Sequence, residues 1–428
     1  MKEISRRSFL RTSALAGAAA VLAGAAPLAA GAASPAAVPE ENCLDSLGTA
    51  VASLGNGTPV LPSVVGLSRG SIMGYCENGI YTFKGIPYGT HQRFKYAAPV
   101  EQYGTPDQPT NALTNGSVSP QSNTQTEYYN PFAAAAFMTP SESDLFSTES
   151  QCLNLNVWTD TLNSSAQKPV LVFIHGGGLQ TGAALELKIY DGKYFADYTD
   201  CVFVSTNARL NYVGYMDLSA IGGDANVGIA DQYTYPIGNV WAEMGGNNSA
   251  DAILCSRPGD AKCNLSAAQQ EAAMRELLGS NYDQAARMFA DAYPGHDLYD
   301  LRSLISFAGD PMTVHAAASA PAVYEYLVAY TMPYFGGMTM THTSDLGFWF
   351  HSVDTVPYQI AGDEANAHHL SDQMASALAA FCATGDPSTR RLPWDRYTAA
   401  APRTMVFDVR SACKDSSFDD GLQAILGR

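Results

Sequence analysis

The sequence predicts an α/β protein, built as one large domain with loop-rich excursions. Two kinds of segment carry that expectation. Val170-Leu171-Val172-Phe173-Ile174 and Cys201-Val202-Phe203-Val204-Ser205 are short, continuous apolar runs rich in β-branched residues, each bracketed by glycine or polar residues. Such runs suit strands covered on both faces, as in a parallel sheet flanked by helices. Three later segments have helical composition with start and stop signals. Ser266 to Leu278 opens on a candidate capping box, Ser266 with Gln269, and stops at Gly279. Asn281 to Tyr293 ends at Pro294-Gly295, and Ala365 to Ala383 closes at Gly385-Asp386-Pro387. The 428 residues are 46% apolar and 15% charged, enough to bury a large core. The 37 glycines and 23 prolines are near the average for folded chains, which excludes collagen-like repeats and wholesale disorder. No internal repeat is evident. With 24 basic against 41 acidic side chains the net charge is −17, a balance that repels phosphate backbones and argues against a nucleic-acid partner.

The N-terminus reads as an address rather than as fold. Ser5-Arg6-Arg7-Ser8-Phe9-Leu10 is a twin-arginine signature, followed by an Ala/Leu/Val-rich stretch from Ala14 to Leu28 and a small-residue cleavage site at Ala30-Gly31-Ala32. Its glycines and alanines make the stretch too weakly apolar to hold well in lipid. Residues 1–32 are therefore expected to be removed on export. They carry Lys2, Arg6, Arg7 and Arg11 against Glu3, so the mature chain is more acidic, near −20. No later run approaches membrane-spanning length, so the mature product is expected to be soluble and periplasmic or extracellular, without membrane association. Residues 33–63 form a variable N-terminal segment, and 64–428 the folded domain.

Eight cysteines lie at 43, 76, 152, 201, 255, 263, 382 and 413, with no CxxC pair, which argues against a zinc ribbon or a thioredoxin-type site. Cys255 and Cys263 flank Arg257-Pro258-Gly259 at a spacing that could close a small disulfide loop or leave two thiols. Cys201 opens an apolar run and reads as core. His368 and His369 are adjacent, point different ways on a helix, and make poor joint metal ligands.

The segment with the clearest chemical content is Phe173-Ile174-His175-Gly176-Gly177-Gly178. Three glycines directly after a buried strand let the backbone turn sharply and aim N–H groups into a cleft, which is how an oxyanion hole is built. Gly176, Gly177 and Gly178 are its candidate donors.

Several blocks in order resemble the type B carboxylesterases, the α/β-hydrolase family that includes the cholinesterases. Tyr81-Thr82-Phe83-Lys84-Gly85-Ile86-Pro87-Tyr88 is similar to the family's F-x-G-I-P-Y, and Cys152-Leu153-Asn154-Leu155-Asn156-Val157 to its C-L-x-L-N-V. The His175–Gly178 loop runs on to Tyr190-Asp191-Gly192 as the family's does. Asn207-Ala208-Arg209-Leu210 resembles N-Y-R-L, Asn226-Val227-Gly228-Ile229-Ala230-Asp231-Gln232 resembles N-x-G-L-x-D-Q, and Ala383-Thr384-Gly385-Asp386-Pro387 with Trp394 and Tyr397 matches the closing segment. The resemblance covers most of 64–410. It implies an α/β-hydrolase fold, a mostly parallel central sheet flanked by helices, and hydrolysis of small-molecule carboxylic esters by a Ser-His-Glu mechanism. It implies no metal or organic cofactor, and no motif suggests one.

Two members of that triad carry over by resemblance. Ile237-Gly238-Asn239-Val240-Trp241-Ala242-Glu243 is similar to the segment whose glutamate orients the imidazole, which makes Glu243 the acid. Thr341-His342-Thr343-Ser344-Asp345-Leu346 is similar to H-x-x-[ED]-[LI], which makes His342 the general base, with His351 a weaker candidate. The nucleophile is the departure. The family's G-E-S-A-G elbow belongs a few dozen residues after the D-Q block, yet Asp231-Gln232 runs almost directly into the approach to Glu243. The domain is thus expected to be shortened after about 232, losing the elbow serine with its strand and helix. Gly66-Leu67-Ser68-Arg69-Gly70 fits G-x-S-x-G, but Ser68 leads into a segment that reads as an edge hairpin. Gly222-Gly223-Asp224-Ala225-Asn226-Val227 resembles the approach to an elbow without a glycine-flanked serine after it. The same resemblance is open to a second reading, a catalytically inactive binding protein of this fold or a truncated hydrolase.

Overall fold

The structure, a computed structural model, describes residues 61–121, 147–232, 240–243, 262, 265–302, 304, 322–333, 337–340 and 343–427. The chain divides into two compact units: the first holds residues 1–124, 141–186 and 190–236, and the second the remainder.

The first unit is built on a seven-stranded sheet. β1 (Leu61–Leu67), β2 (Gly70–Glu77) and β3 (Ile80–Pro87) form an antiparallel meander. The short β4 (Gly89–Thr90) and β5 (Ala98–Pro99) pair with each other outside this sheet, and β6 (Thr110–Asn111) lies along β2. β7 (Asn154–Thr159) pairs with β3, β8 (Val170–Ile174) is an edge, and β9 (Val202–Thr206) lies between β7 and β8. The β8–β9 pair is parallel, running from Val170↔Val202 to Ile174↔Thr206. Every residue of β9 is buried, as its unbroken apolar run predicts, with Cys201 buried just ahead of it. β8 is half-buried along its whole length, because it pairs with β9 alone among the described strands. The Gly66–Gly70 motif resolves here too. Ser68 and Arg69 are the exposed turn of the β1–β2 hairpin, with Leu67 opposite Gly70, so Ser68 neither follows a buried parallel strand nor opens a helix.

Among the described residues this unit carries three short helices: α1 (Lys193–Tyr198), α2 (Asn211–Tyr215) and α3 (Val227–Gln232). Phe203 is the hub of the core. Its ring meets Trp158 at 5.8 Å and Phe195 of α1 at 5.9 Å, both edge-on. Gly192 lets α1 sit this close, since a Cβ there would fall 2.3 Å from the Phe203 ring. Truncating Phe203 to alanine would cost about 3–5 kcal/mol.

The second unit carries β10 (Val240–Glu243), β11 (Val323–Val328), the small hairpin β12 (Thr331–Met332) with β13 (Met338–Thr339), β14 (Arg403–Phe407) and β15 (Ala412–Asp415). β10, β11 and β14 are parallel neighbours, and β15 closes the sheet antiparallel. Its helices are α4 (Ala267–Leu278), α5 (Tyr282–Ala292), α6 (Leu346–Trp349), α7 (Pro357–Ile360), α8 (Glu364–Thr384) and α9 (Asp420–Ile425). The three long helices match their sequence signals. The Ser266 hydroxyl accepts the Gln269 N–H while the Gln269 side chain accepts the Ser266 N–H, completing the capping box, and Gly385 ends α8 in the left-handed region at φ +75. Phe289 and Tyr293 pack with Leu327, Val406 and Leu422. Trp349, Trp394 and Phe407 form a second aromatic cluster, with Trp349–Phe407 at 5.3 Å and Trp394–Phe407 at 5.4 Å. His368 and His369 bond to different partners, Asp354 and Gln373. Among the described residues no group of three or more histidine, cysteine or acidic residues is placed to hold a metal, and no helix is long and apolar enough to cross a membrane. Cys255 and Cys263 lie outside the described residues.

Candidate oxyanion site

β8 delivers His175 and the three glycines to its carboxyl end, the edge at which open α/β sheets bind ligands. Gly177 sits at φ +109 and Gly178 at φ +60, conformations that favour glycine. A Cβ on Gly177 would lie 2.0 Å from the Thr181 carbonyl oxygen, so the turn itself excludes any other residue there. Gly176 and Gly178 face open space instead, with nothing within 4 Å of a built Cβ. All three glycines are exposed. Among the described residues, the N–H groups of Gly176, Gly177 and Gly178 have no protein acceptor.

The loop is held from behind. Gly177 O accepts the N–H groups of Gln180 and Thr181, both at 3.1 Å. The Gln121 amide clamps Gly182 in both directions, accepting its N–H at 2.7 Å and donating to its carbonyl at 3.0 Å. Ala184 N–H donates to the Asn207 side chain, which in turn donates to buried Asn154 at 3.0 Å. Asn154 then donates to the carbonyls of Ser117 and Gln151. The asparagines of the C-L-x-L-N-V and N-x-R-L blocks are therefore the frame on which the glycine loop hangs. Leu179 and Asn211 both take left-handed φ, +62 and +49, and are joined by Asn211 N–H to Leu179 O at 2.7 Å. Two non-glycine residues in that region beside a loop of exposed donors mark stored strain of the kind found at binding sites.

His175 Nδ1 lies 2.8 Å from Gly176 O. A carbonyl only accepts, so Nδ1 carries the proton, and burial holds the imidazole below its ordinary pKa. Arg209 and Asp231, from the N-x-R-L and D-Q blocks, form a fully buried bidentate pair. Nε and Nη2 each donate to a carboxylate oxygen at 2.7 Å, and Nη1 donates to Lys95 O at 2.7 Å. Both blocks are legible in the sequence but their pairing is not; one charge of each sign, Arg209 in the first and Asp231 in the second, was the available signal. Cys152 in the same region is no nucleophile, because burial pushes its thiol up to about 12.

In the second unit Glu243 is the last residue of β10, in register with Tyr326. Its side chain and the whole of His342 lie outside the described residues. The residues after His342 are fixed. Ser344 O accepts from Gln359 at 2.6 Å, and buried Asp345 accepts the Trp349 indole N–H at 3.1 Å. His351, the weaker base candidate, pairs with Asp372 at the surface, at 2.8 Å.

Residues 60–234 match the family model described as the carboxylesterase family. Over these residues the chain is similar to the carboxylesterase family. Residues 3–23 match the twin-arginine translocation signal, which directs the protein to export. Para-nitrobenzyl esterase of Bacillus subtilis is 31% identical over 176 residues, which are 40% of this chain and 32% of that one. Phenmedipham hydrolase of Pseudarthrobacter oxydans is 33% identical over 176 residues, 39% of this chain and 31% of that one. The chain thus spans about a third of the length of these relatives. Among solved structures, an esterase from Clostridium hathewayi that can hydrolyze aliphatic aromatic polyesters aligns with TM-score 0.70 at 23% identity, over 86% of this chain and 99% of that one. A thermophilic PNB esterase aligns with TM-score 0.57 at 20% identity, over 85% and 99%. These fix the fold as that of the α/β-hydrolases. The family match in sequence stops at residue 234, two residues beyond Gln232, whereas the likeness in fold extends over 86% of this chain.

Proposed function

We propose that this chain is an exported carboxylesterase-type hydrolase acting on small carboxylic esters, with Gly176, Gly177 and Gly178 cradling the oxyanion. One observation carries the reading: three exposed glycines whose N–H groups meet no acceptor among the described residues, on a loop braced by Gln121, Asn207 and Asn211. Such preorganised donors pay their orientation cost on folding and stabilise charge only as it develops. His342 is the general base and Glu243 the carboxylate that fixes its tautomer, a pairing that rests on family resemblance. No glycine-flanked serine stands between Gln232 and Glu243. The attack therefore falls to water activated by His342, forming the tetrahedral intermediate directly, with no acyl-enzyme. A triad lacking its serine typically keeps roughly a thousand- to ten-thousand-fold over water. The two relatives named as an esterase and a hydrolase support the same class of chemistry.

A second reading has its own support. The missing serine favours a catalytically inactive carboxylesterase-like binding protein, or a truncated hydrolase. Hydrolysis of p-nitrophenyl acetate by the purified chain separates the readings. Turnover above buffer that falls at least tenfold in His342→Gln supports the hydrolase. Saturable ester binding with turnover equal in parent and variant supports the binding protein, and loss of the near-UV circular dichroism of a packed core supports truncation.

A further inference from the structure

The second unit holds a hydroxyl–imidazole–carboxylate array that shares no residue with the glycine loop, Glu243 or His342. We propose that Thr331, His296 and Asp408 form a nucleophilic relay in which the Thr331 hydroxyl accepts acyl or phosphonyl groups from activated esters.

The array sits where parallel sheets place their chemistry. Asp408 directly follows β14 and Thr331 lies three residues past the end of β11, so both are at the carboxyl ends of parallel neighbours, tied by Ala329 N–H to Phe407 O at 2.7 Å. His296 comes from the turn after α5, where its ring stands edge-on to Tyr293, with centroids 6.3 Å apart and planes at 84°. Its Nε2 lies 2.8 Å from an Asp408 carboxylate oxygen and its Nδ1 lies 3.0 Å from Thr331 Oγ1. The His296 side chain is 6% exposed and that of Asp408 17%, so the pair is shielded without being sealed.

The carboxylate sets the tautomer. Asp408 accepts, so in the neutral ring the proton resides on Nε2 and the Nδ1 lone pair faces the Thr331 hydroxyl, which then donates. That is the order of roles in a nucleophile–base–acid triad, with the two ring nitrogens exchanged. A cation stands nearby. The position a Cβ would take on Gly337, at φ +106, is 3.3 Å from Thr331 Cγ2 and 3.4 Å from Lys262 Nζ. Lys262 is anchored by Asp297 at 2.8 Å and Asp300 at 3.0 Å, which raise its pKa against the opposing effect of burial and keep it charged. In the step itself Thr331 Oγ bonds to the carbonyl carbon while its proton passes to His296 Nδ1. The ester C–O bond then breaks and the departing alkoxide takes that proton, leaving a threonyl ester and an alcohol.

The test is labelling of the full chain with an alkyl fluorophosphonate. Thr331 Oγ forms the P–O bond, fluoride leaves, and the proton goes to His296. Peptide-mapping mass spectrometry is expected to find the adduct on the peptide containing Thr331. Labelling is expected to persist in Thr331→Ser, to be absent in Thr331→Val, and to slow roughly a hundred- to ten-thousand-fold in His296→Gln. No adduct at Thr331 under excess probe, or an adduct forming at the same rate in His296→Gln, overturns the relay and leaves the array as a brace between the turn after α5 and the strand ends. Ester turnover that depends on His342 is a separate readout, so either reading can fail alone.

Discussion

Removing the carboxylate of Asp231 tests the account of the first unit most sharply. Arg209 and Asp231 are each 0% exposed in their side chains, and the guanidinium gives three donors to fixed acceptors: two carboxylate oxygens and Lys95 O, all at 2.7 Å. Asp231→Ala leaves a permanently charged group buried with one carbonyl partner. Breaking such a pair costs about 3–5 kcal/mol, far above the fraction of a kcal/mol of a surface bridge. For a unit of this size each kcal/mol moves Tm by about 2–4 °C, so a fall of about 6–20 °C is expected. A thermal melt reads that fall, and urea denaturation followed by tryptophan fluorescence reads the free-energy loss, with Trp158 in the same unit as reporter and an unchanged slope showing that stability rather than compactness changed. Replacing both partners together, Arg209→Met with Asp231→Leu, should recover most of the loss, because no lone charge remains. A midpoint shift equivalent to less than about 1 kcal/mol in Asp231→Ala would refute the argument that this pair locks the segment after β9.

Other consequences concern the glycine loop and its surroundings. Gly182→Ala should weaken binding of a phosphonate anion at least tenfold and cost about 1–3 kcal/mol, because its φ is +107 and a Cβ would lie 2.4 Å from Gly176 O and 2.6 Å from His175 Nδ1; isothermal calorimetry and thermal melts read the two effects. Burial lowers the His175 pKa below 6.5, so the unfolded chain binds more protons in the window beneath that value. Stability from this group is complete above pH 6.5 and is lost as pH falls through the depressed value; His175→Gln should flatten that part of a melt-versus-pH series. Cys152, pushed up to about 12, carries on the order of one part in ten thousand thiolate at pH 8 and should resist iodoacetamide until the first unit unfolds, as peptide mapping would show.

The local features of this fold were legible, and the relational ones were not. Capping at Ser266 and Gly279 is written in side chains that act within one turn of where they stand, so α4 could be placed from sequence. The glycine loop was legible for the same reason, since positive φ at Gly177 and Gly178 is a local demand. The apolar run of β8 promised cover on both faces, yet the strand is half-buried, because membership of a sheet edge depends on which neighbour arrives and leaves no mark on the run itself. The meander of β1 to β3 was foreseen only as an N-terminal hairpin. Asn154 and Asn207 read as letters within two separate motifs, and only their pairing across 53 residues reveals that they carry the loop. His296 meets Thr331 and Asp408 from 35 and 112 residues away, with no spacing rule to announce it.

The measurement closest to the core of the account is a titration of selectively ¹⁵N-glycine-labelled protein with a phosphonate monoester, a stable copy of the tetrahedral anion formed when water attacks an ester. Saturable downfield shifts of the amide protons of Gly176, Gly177 and Gly178 are expected, with Gly79, at the opposite end of the same sheet, unmoved. Saturating anion that leaves those three amides where they were would contradict the oxyanion cradle.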